Sequence, residues 1–311
     1  MVQDKSTPIN LYKAYNLSLS LPFKTDLLPI AINKEEPVSF YISDYVDLPE
    51  NISLKSLTDG GKNWSISNID NAYYNASNLG LFQISDGKTI LFRPNTEISK
   101  EEILKALLFT PLALILYQRG NLVMHASACY IKNKSQSILI AGQSGLGKST
   151  LLHELLGMGN KMLSEDVSTI NLSNIPEILP SFPLIKLGPQ NMKNAVLEEK
   201  IINIKQDERN RSLYRVNQES FMQDSDIVKS CYFLMGHGEQ KIEYVSEDME
   251  KLKLIYKNIW RQVPYNSSIE SEKIILKNIG SFLNEVNCFK IWTSKNPSLS
   301  AEKLIDHIES Y

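Results

Sequence analysis

Residues 138–150 read ILIAGQSGLGKST, and the reading of this stretch decides the fold. Ile138, Leu139 and Ile140 carry the signal of a short buried strand. Gly142-Gln143-Ser144-Gly145-Leu146-Gly147-Lys148-Ser149 follows at once and satisfies the phosphate-loop pattern G-x-x-x-x-G-K-[ST] in full. From Thr150 the sequence TLLHELL reads as a helix. The residue types suit the chemistry. Glycines tolerate backbone angles that let successive N–H groups curl around a phosphate. The loop delivers that phosphate to a helix N-terminus, where orphan N–H groups and the helix dipole favour an anion. Lys148 supplies a positive charge for the β- and γ-phosphates, and the Ser149 hydroxyl can ligate magnesium. The stretch from Gly142 to Thr150 therefore predicts a nucleoside triphosphate site.

Outward from the loop, residues 122–130 (LVMHASACY) predict a strand with His125 inside it, and a turn near 134 makes it one arm of a hairpin leading into the loop strand. After the loop helix ends at Gly157-Met-Gly159, residues 161–167 predict a strand that terminates in the carboxylate pair Glu165-Asp166. In a nucleotide fold a carboxylate at a strand end can hold the metal ion, and its partner is then free to accept the proton of an attacking hydroxyl. Which of the two takes which role is open. The bland alternatives are a solvated strand end for the acidic pair and a satisfied core histidine for His125.

The front of the chain is different. Residues 1–98 read as a small strand-rich domain, through LSLSLPF, PVSFYISDYV, WSISNI and TILFRP, with turn clusters at 59–63 and at Ser85-Asp86-Gly87-Lys88. Tyr73 and Tyr74 lack interleaved cations and suit packing better than base stacking. Residues 97–119 predict a joining helix capped by Ser99 and kinked or split at Pro111. The domain boundary accordingly falls at 98/99, with a catalytic domain over 99–311. Residues 205–211 (KQDERNR) read as a solvent-exposed loop, Arg211 and Arg215 being the cations with the best case for a site role. Further helices are expected over 248–260, 269–286 and 300–311, with a strand at 288–293.

Composition excludes several classes. A net charge of −2 offers no basic field for nucleic acid. The three cysteines, Cys129, Cys231 and Cys288, are far apart and match neither a zinc site nor a disulfide framework. The most apolar run, 103–117, contains Lys105 and Pro111 and is short for a membrane span. No cationic start precedes an apolar run at the N-terminus. A soluble, cytoplasmic protein is the expectation.

The run MHASACYIKNKSQSILIAGQSGLGKSTLLHELLGMGNKMLSEDVSTI resembles the core of the HPr kinase/phosphorylase superfamily over residues 122–170. The likeness lies in the Met-His-Ala-Ser strand, the hairpin, the phosphate loop and the acidic pair. It implies an α/β (α+β) kinase fold akin to ATP-type phosphoenolpyruvate carboxykinase, with a mixed, largely antiparallel sheet, and ATP and Mg2+ as cofactors. By position it implies His125 beside the transferred phosphoryl, Lys148 and Ser149 on phosphate and magnesium, and Glu165 and Asp166 as base and metal ligand in either order. Glu165 stands where the family usually has aspartate. The family's downstream Gly-rich signature, near I-R-G-L-G, is missing, and the layout is similar to the HPr kinase-like proteins related to lasso-peptide biosynthesis. That likeness implies a serine kinase acting on a precursor peptide or small protein, with the C-terminal serine as acceptor. The alternatives are an HPr(Ser) kinase/phosphorylase and a nucleotide-binding module without transfer activity. Oligomeric state is open between a monomer and a homo-oligomer.

Overall fold

The computed structural model describes residues 10–32, 37–48, 64–66, 71–76, 79–188, 196–200, 210–260 and 269–311. The turn cluster at 59–63 and residues 205–209 of the polar run lie outside them. The chain divides into two compact units, Met1–Gly120 with Val263–Glu272, and Asn121–Gln262 with Lys273–Tyr311.

The first unit holds a seven-stranded sheet of β1 (Asn10–Ala14), β2 (Leu17–Leu21), β3 (Val38–Ile42), β4 (Trp64–Ile66), β5 (Asn71–Asn75), β6 (Gly80–Ser85) and β7 (Thr89–Pro94), in the order β1-β2-β3-β7-β6-β5-β4. β6 and β7 form the expected hairpin, joined by a three-residue loop, Asp86-Gly87-Lys88, in which Asp86 and Gly87 are at positive φ. Phe82 stacks on Phe92 at 4.3 Å between ring centroids, and Tyr74 packs on Phe82. The apolar run after Ser99 becomes two helices, α1 (Lys100–Leu108) and α2 (Thr110–Gln118), broken at Phe109 because Pro111 has no N–H to continue the ladder. Ser99 and Glu102 close a capping box on α1. α2 packs on β5 and β6, so this helix pair belongs to the first unit; the expected boundary at 98/99 moves to Gly120.

The second unit is built on a nine-stranded mixed sheet. Its strands are β8 (Leu122–Met124), β9 (Ala126–Ile131), β10 (Gln136–Gly142), β11 (Lys161–Ser164), β12 (Ser168–Asn171) and β13 (Glu177–Leu179), joined later by β17, β18 and β19. Between them in the chain come β14 (Leu184–Leu187), β15 (Leu197–Lys200) and β16 (Ser212–Val216), which form a separate three-stranded sheet in the order β14-β16-β15. β17 (Asp226–His237) runs parallel to β10 and to β19 (Asn287–Thr293), and β18 (Lys241–Tyr244) closes the edge. Every other pairing of the large sheet is antiparallel, including the β9–β10 hairpin that enters the loop. Cys231 and Cys288 are register partners on β17 and β19, and all three cysteines are buried free thiols.

One face of this sheet is covered by α3 (Lys148–Gly157) and α6 (Pro297–Ser310). Leu151, Leu152, Leu155 and Leu156 of α3 meet Ala301, Leu304 and Ile308 of α6 over Ile138 and Ile140. Each such leucine contributes roughly 1.5–3 kcal/mol on burial, so the helix that carries the loop is anchored by its own apolar stripe. The remaining helices are α4 (Asp248–Lys257) and α5 (Ile269–Glu285). Among the described residues no helix is long and apolar enough to cross a membrane.

Candidate active site

The loop leaves the end of β10 at Gly142, where φ is +151° and a Cβ would lie 3.0 Å from the Leu234 side chain of β17. Only glycine allows that approach. At Gly147 φ is +94°, and the space where a Cβ would sit is open to 4 Å. Gly147 is the N-cap of α3 and supplies no side-chain cap to its first turn. The helix therefore presents N–H groups to the cavity beside it, as phosphate binding requires. That cavity is about 240 Å³ and is lined by Ser144, Gly145, Lys148, Ser149 and Thr150 on the loop side, and by His125, Asp166, Lys186 and Arg211 facing them. Gln143 contributes its carbonyl to Lys148 at 3.3 Å, and Leu146 packs against the hydrophobic core.

Lys148 is 6% exposed. Its ammonium donates to Gly142 O at 2.7 Å and lies 3.0 Å from His125 Nε2. A lysine ammonium can only donate, so Nε2 accepts and the imidazole proton sits on Nδ1. Nδ1 in turn faces Asp166, 3.1 Å from its carbonyl oxygen and 3.3 Å from Oδ1. Burial, then the charge of Lys148, hold the His125 pKa below its ordinary value against the pull of Asp166. A neutral ring with the proton on Nδ1 fits every contact.

His125 does not lie within a continuous strand. The expected strand over 122–130 breaks at this residue into β8 and β9, whose partners differ: β8 pairs with β12, β9 with β10 and β11. The His125 N–H leaves the ladder and donates to Asn258 O at 2.7 Å, and Trp260 packs on the ring at 5.4 Å. The break aims the imidazole at the cavity.

Glu165 and Asp166 part company just beyond β11. Asp166 has φ +66°, and Val167 N donates to Glu165 O at 2.8 Å, a three-residue γ-turn. Ser164 and Ser168 brace its two ends through a 2.6 Å hydroxyl contact, and Ser168 also donates to Ala126 O. Glu165 turns toward the loop: Ser149 Oγ donates to its Oε1 at 2.5 Å. Asp166 turns the other way, to His125 and to Lys186, whose Nζ is 2.8 Å from Oδ2. Burial and the neighbouring Asp166 push Glu165 up to about 7, against Lys186, Ser149 and Arg211. Burial raises Asp166 too, yet Lys186 and His125 outweigh it and hold the carboxyl at about 2.

Magnesium binding calls for oxygen ligands. Ser149 Oγ and Glu165 Oε1 converge beside the phosphate loop and fit that requirement; Asp166, engaged by two nitrogen donors, points away from it. The cavity thus brings together His125, Lys148, Ser149 and Asp166, while Glu165 is buried and joins them through Ser149. The cavity adds Lys186, which sequence reasoning missed; the only signal was a lone lysine in the apolar run PLIKL. It also takes Arg211, at the end of the polar run read as solvent-exposed.

No protein-family profile matches the sequence, and no curated protein matches it. Among solved structures, the Hpr(Ser) kinase/phosphatase from Coxiella burnetii is 15% identical and aligns over 60% of this chain and 91% of its own, with a TM-score of 0.34.

Proposed function

We propose that the chain is an ATP- and magnesium-dependent kinase that transfers the γ-phosphate to a serine hydroxyl of a peptide or small protein, the C-terminal serine of a lasso-type precursor being the favoured acceptor. One observation carries the reading. Lys148, His125, Asp166 and Lys186 form an unbroken series of polar contacts across a cavity whose loop hydroxyl, Ser149, meets Glu165. A module that only bound nucleotide would need the loop, Lys148 and Ser149. It would have no use for a second, ionised carboxylate held inside the same cavity.

The loop N–H groups and Lys148 hold the triphosphate, and Ser149 and Glu165 would hold the metal. Magnesium, when bound, neutralises charge on the phosphate oxygens. Asp166 orients the acceptor hydroxyl. The serine oxygen bonds to the γ-phosphorus as the bond from phosphorus to the bridging oxygen breaks; ADP leaves with that electron pair, and the hydroxyl proton passes to Asp166. A carboxyl held at about 2 is a weak base, which suits a loose transition state in which the proton moves late. The acceptor rests on sequence: the Gly-rich signature of HPr-directed members is missing, and the layout resembles the peptide-directed members.

The test is incubation with magnesium, γ-labelled ATP and either a precursor peptide ending in serine or HPr. Label is expected on the terminal serine, and to vanish with Asp166→Asn. Label on HPr with the peptide untouched overturns the acceptor; no transfer to either overturns the kinase reading.

A further inference from the structure

We propose that Lys186 is a positioning residue for phosphoryl transfer, clamping the Asp166 carboxylate in the orientation that receives the acceptor hydroxyl. The proposal rests on the kinase reading above and deepens it.

A carboxylate swings about its last torsion in a broad, roughly two-fold well, so a single hydrogen bond does not fix it. Asp166 has two anchors, one on each oxygen. His125 Nδ1 faces Oδ1 at 3.3 Å, and Lys186 Nζ holds Oδ2 at 2.8 Å. His125 is itself tied to the loop through Lys148, so that side moves with the nucleotide site. Lys186 is different in origin. It sits on β14, in the three-stranded sheet, and reaches the γ-turn at Asp166 across the cavity wall. Arg211, on the same cavity, adds its charge, but the direct contact to Oδ2 is that of Lys186.

Its surroundings also argue for more than a surface ion pair. The Lys186 and Asp166 side chains are 15% and 12% exposed, and both line the cavity. An exposed pair is worth little, but one shielded from water keeps much of its attraction. The γ-turn adds a reason for the clamp. A non-glycine residue at φ +66° is strained and persists only where its neighbours over-determine it. The Ser164–Ser168 brace secures the backbone; Lys186 and His125 secure the side chain.

A positioning role makes a distinctive kinetic demand. The Lys186 ammonium is engaged by Asp166, whereas Lys148 and Ser149 carry the loop's own polar contacts, so the loss of Lys186 should leave nucleotide affinity alone and lower turnover. In the full chain, Lys186→Ala is expected to cut kcat by about 100-fold while the KM for ATP stays within about threefold. Lys186→Arg, which keeps a donor for Oδ2, is expected to recover at least a tenth of wild-type kcat. Added to Asp166→Asn, Lys186→Ala should lower kcat no more than about threefold further, since the group it positions is already gone. Crystal structures of wild type and Lys186→Met with a non-hydrolysable ATP analogue should show Asp166 turned toward His125 in the first and swung away in the second.

Additive losses with Asp166→Asn, a raised KM for ATP with unchanged kcat, or an unmoved Asp166 in Lys186→Met each overturn the proposal. So do variants that lose only thermal stability while their folded fraction turns over normally. If wild type transfers phosphate to no acceptor, the kinase reading fails, and the crystallographic comparison alone decides whether Lys186 holds Asp166.

Discussion

Ser149 Oγ lies 2.5 Å from Glu165 Oε1, joining the last residue of the phosphate-loop motif to the first residue of the acidic pair. Glu165 is 2% exposed, and burial first, then the charge of Asp166, raises its pKa against Lys186, Ser149 and Arg211. A folded-state pKa of about 7 against 4.5 means that the folded chain keeps a proton here that the unfolded chain gives up. Stability from this group is therefore highest below pH 4.5, falls as pH rises toward 7, and is flat above. Glu165→Gln should stabilise the metal-free protein at pH 8 by roughly 1–3 kcal/mol, with the gain shrinking toward pH 5, while magnesium-dependent activity is lost. Thermal melts at the two pH values check it. Equal shifts at both would mean that the side chain is not protonated in the folded state.

Lys148 carries the charge nearest the loop. Lys148→Met keeps the buried stem and removes the ammonium from Gly142 O and His125 Nε2. The expected loss in kcat/KM is about 10²–10³-fold, the size seen when one preorganised donor is removed from a transition state. Steady-state kinetics with ATP varied is the measurement, and an unchanged value would show that the loop binds phosphate without its lysine.

His125 offers a spectroscopic check. Burial and Lys148 hold its pKa down, and the contact with Lys148 requires the proton on Nδ1. The 15N shifts of this ring, followed against pH, should show a neutral imidazole protonated at Nδ1 that takes up its second proton at lower pH than an ordinary histidine. In stability terms a depressed histidine pKa favours the folded state above its unfolded value and loses that contribution as pH falls. A ring that charges at the pH of an ordinary histidine would mean that Nε2 does not accept from Lys148.

Two glycines in one loop should respond differently to alanine. At Gly142 the new methyl meets Leu234 Cβ at 3.0 Å and Leu234 O at 3.1 Å, and φ is +151°. At Gly147 the space is open and only the backbone, at φ +94°, resists. Gly142→Ala should therefore cost about 2–4 kcal/mol in denaturant melts, and Gly147→Ala about 1–2. The reverse order would show that β10 and β17 can part at the loop.

Much of this site was legible because its parts are local. The strand, loop and helix from 136 to 157 are contiguous, and the hairpin before them carries its own turn. Pro111 announced the division of α1 from α2 through its missing N–H. What could not be read is what the chain assembles from a distance. The run LVMHASACY has unbroken strand character, and the break at His125 arises because Asn258, far along the chain, takes its N–H. Lys186 sits in an apolar run whose local pattern says only strand; its partner is 20 residues away and on another element. The helices over 100–118 were placed on the wrong side of the domain boundary, since amphipathic spacing reveals a buried face but not which sheet buries it. Arg211 likewise follows a polar run, and composition favoured water over the cavity wall.

The γ-turn at Asp166 separates the two acidic positions in what they tolerate. Position 165 reaches toward Ser149, and the length of glutamate carries its carboxylate to the loop hydroxyl. Position 166 is boxed between an imidazole and an ammonium that fix the carboxylate from both sides, and an added methylene there would drive it into one of them. Side-chain length thus serves reach at the first acid and is boxed in at the second, although the two are adjacent in the chain.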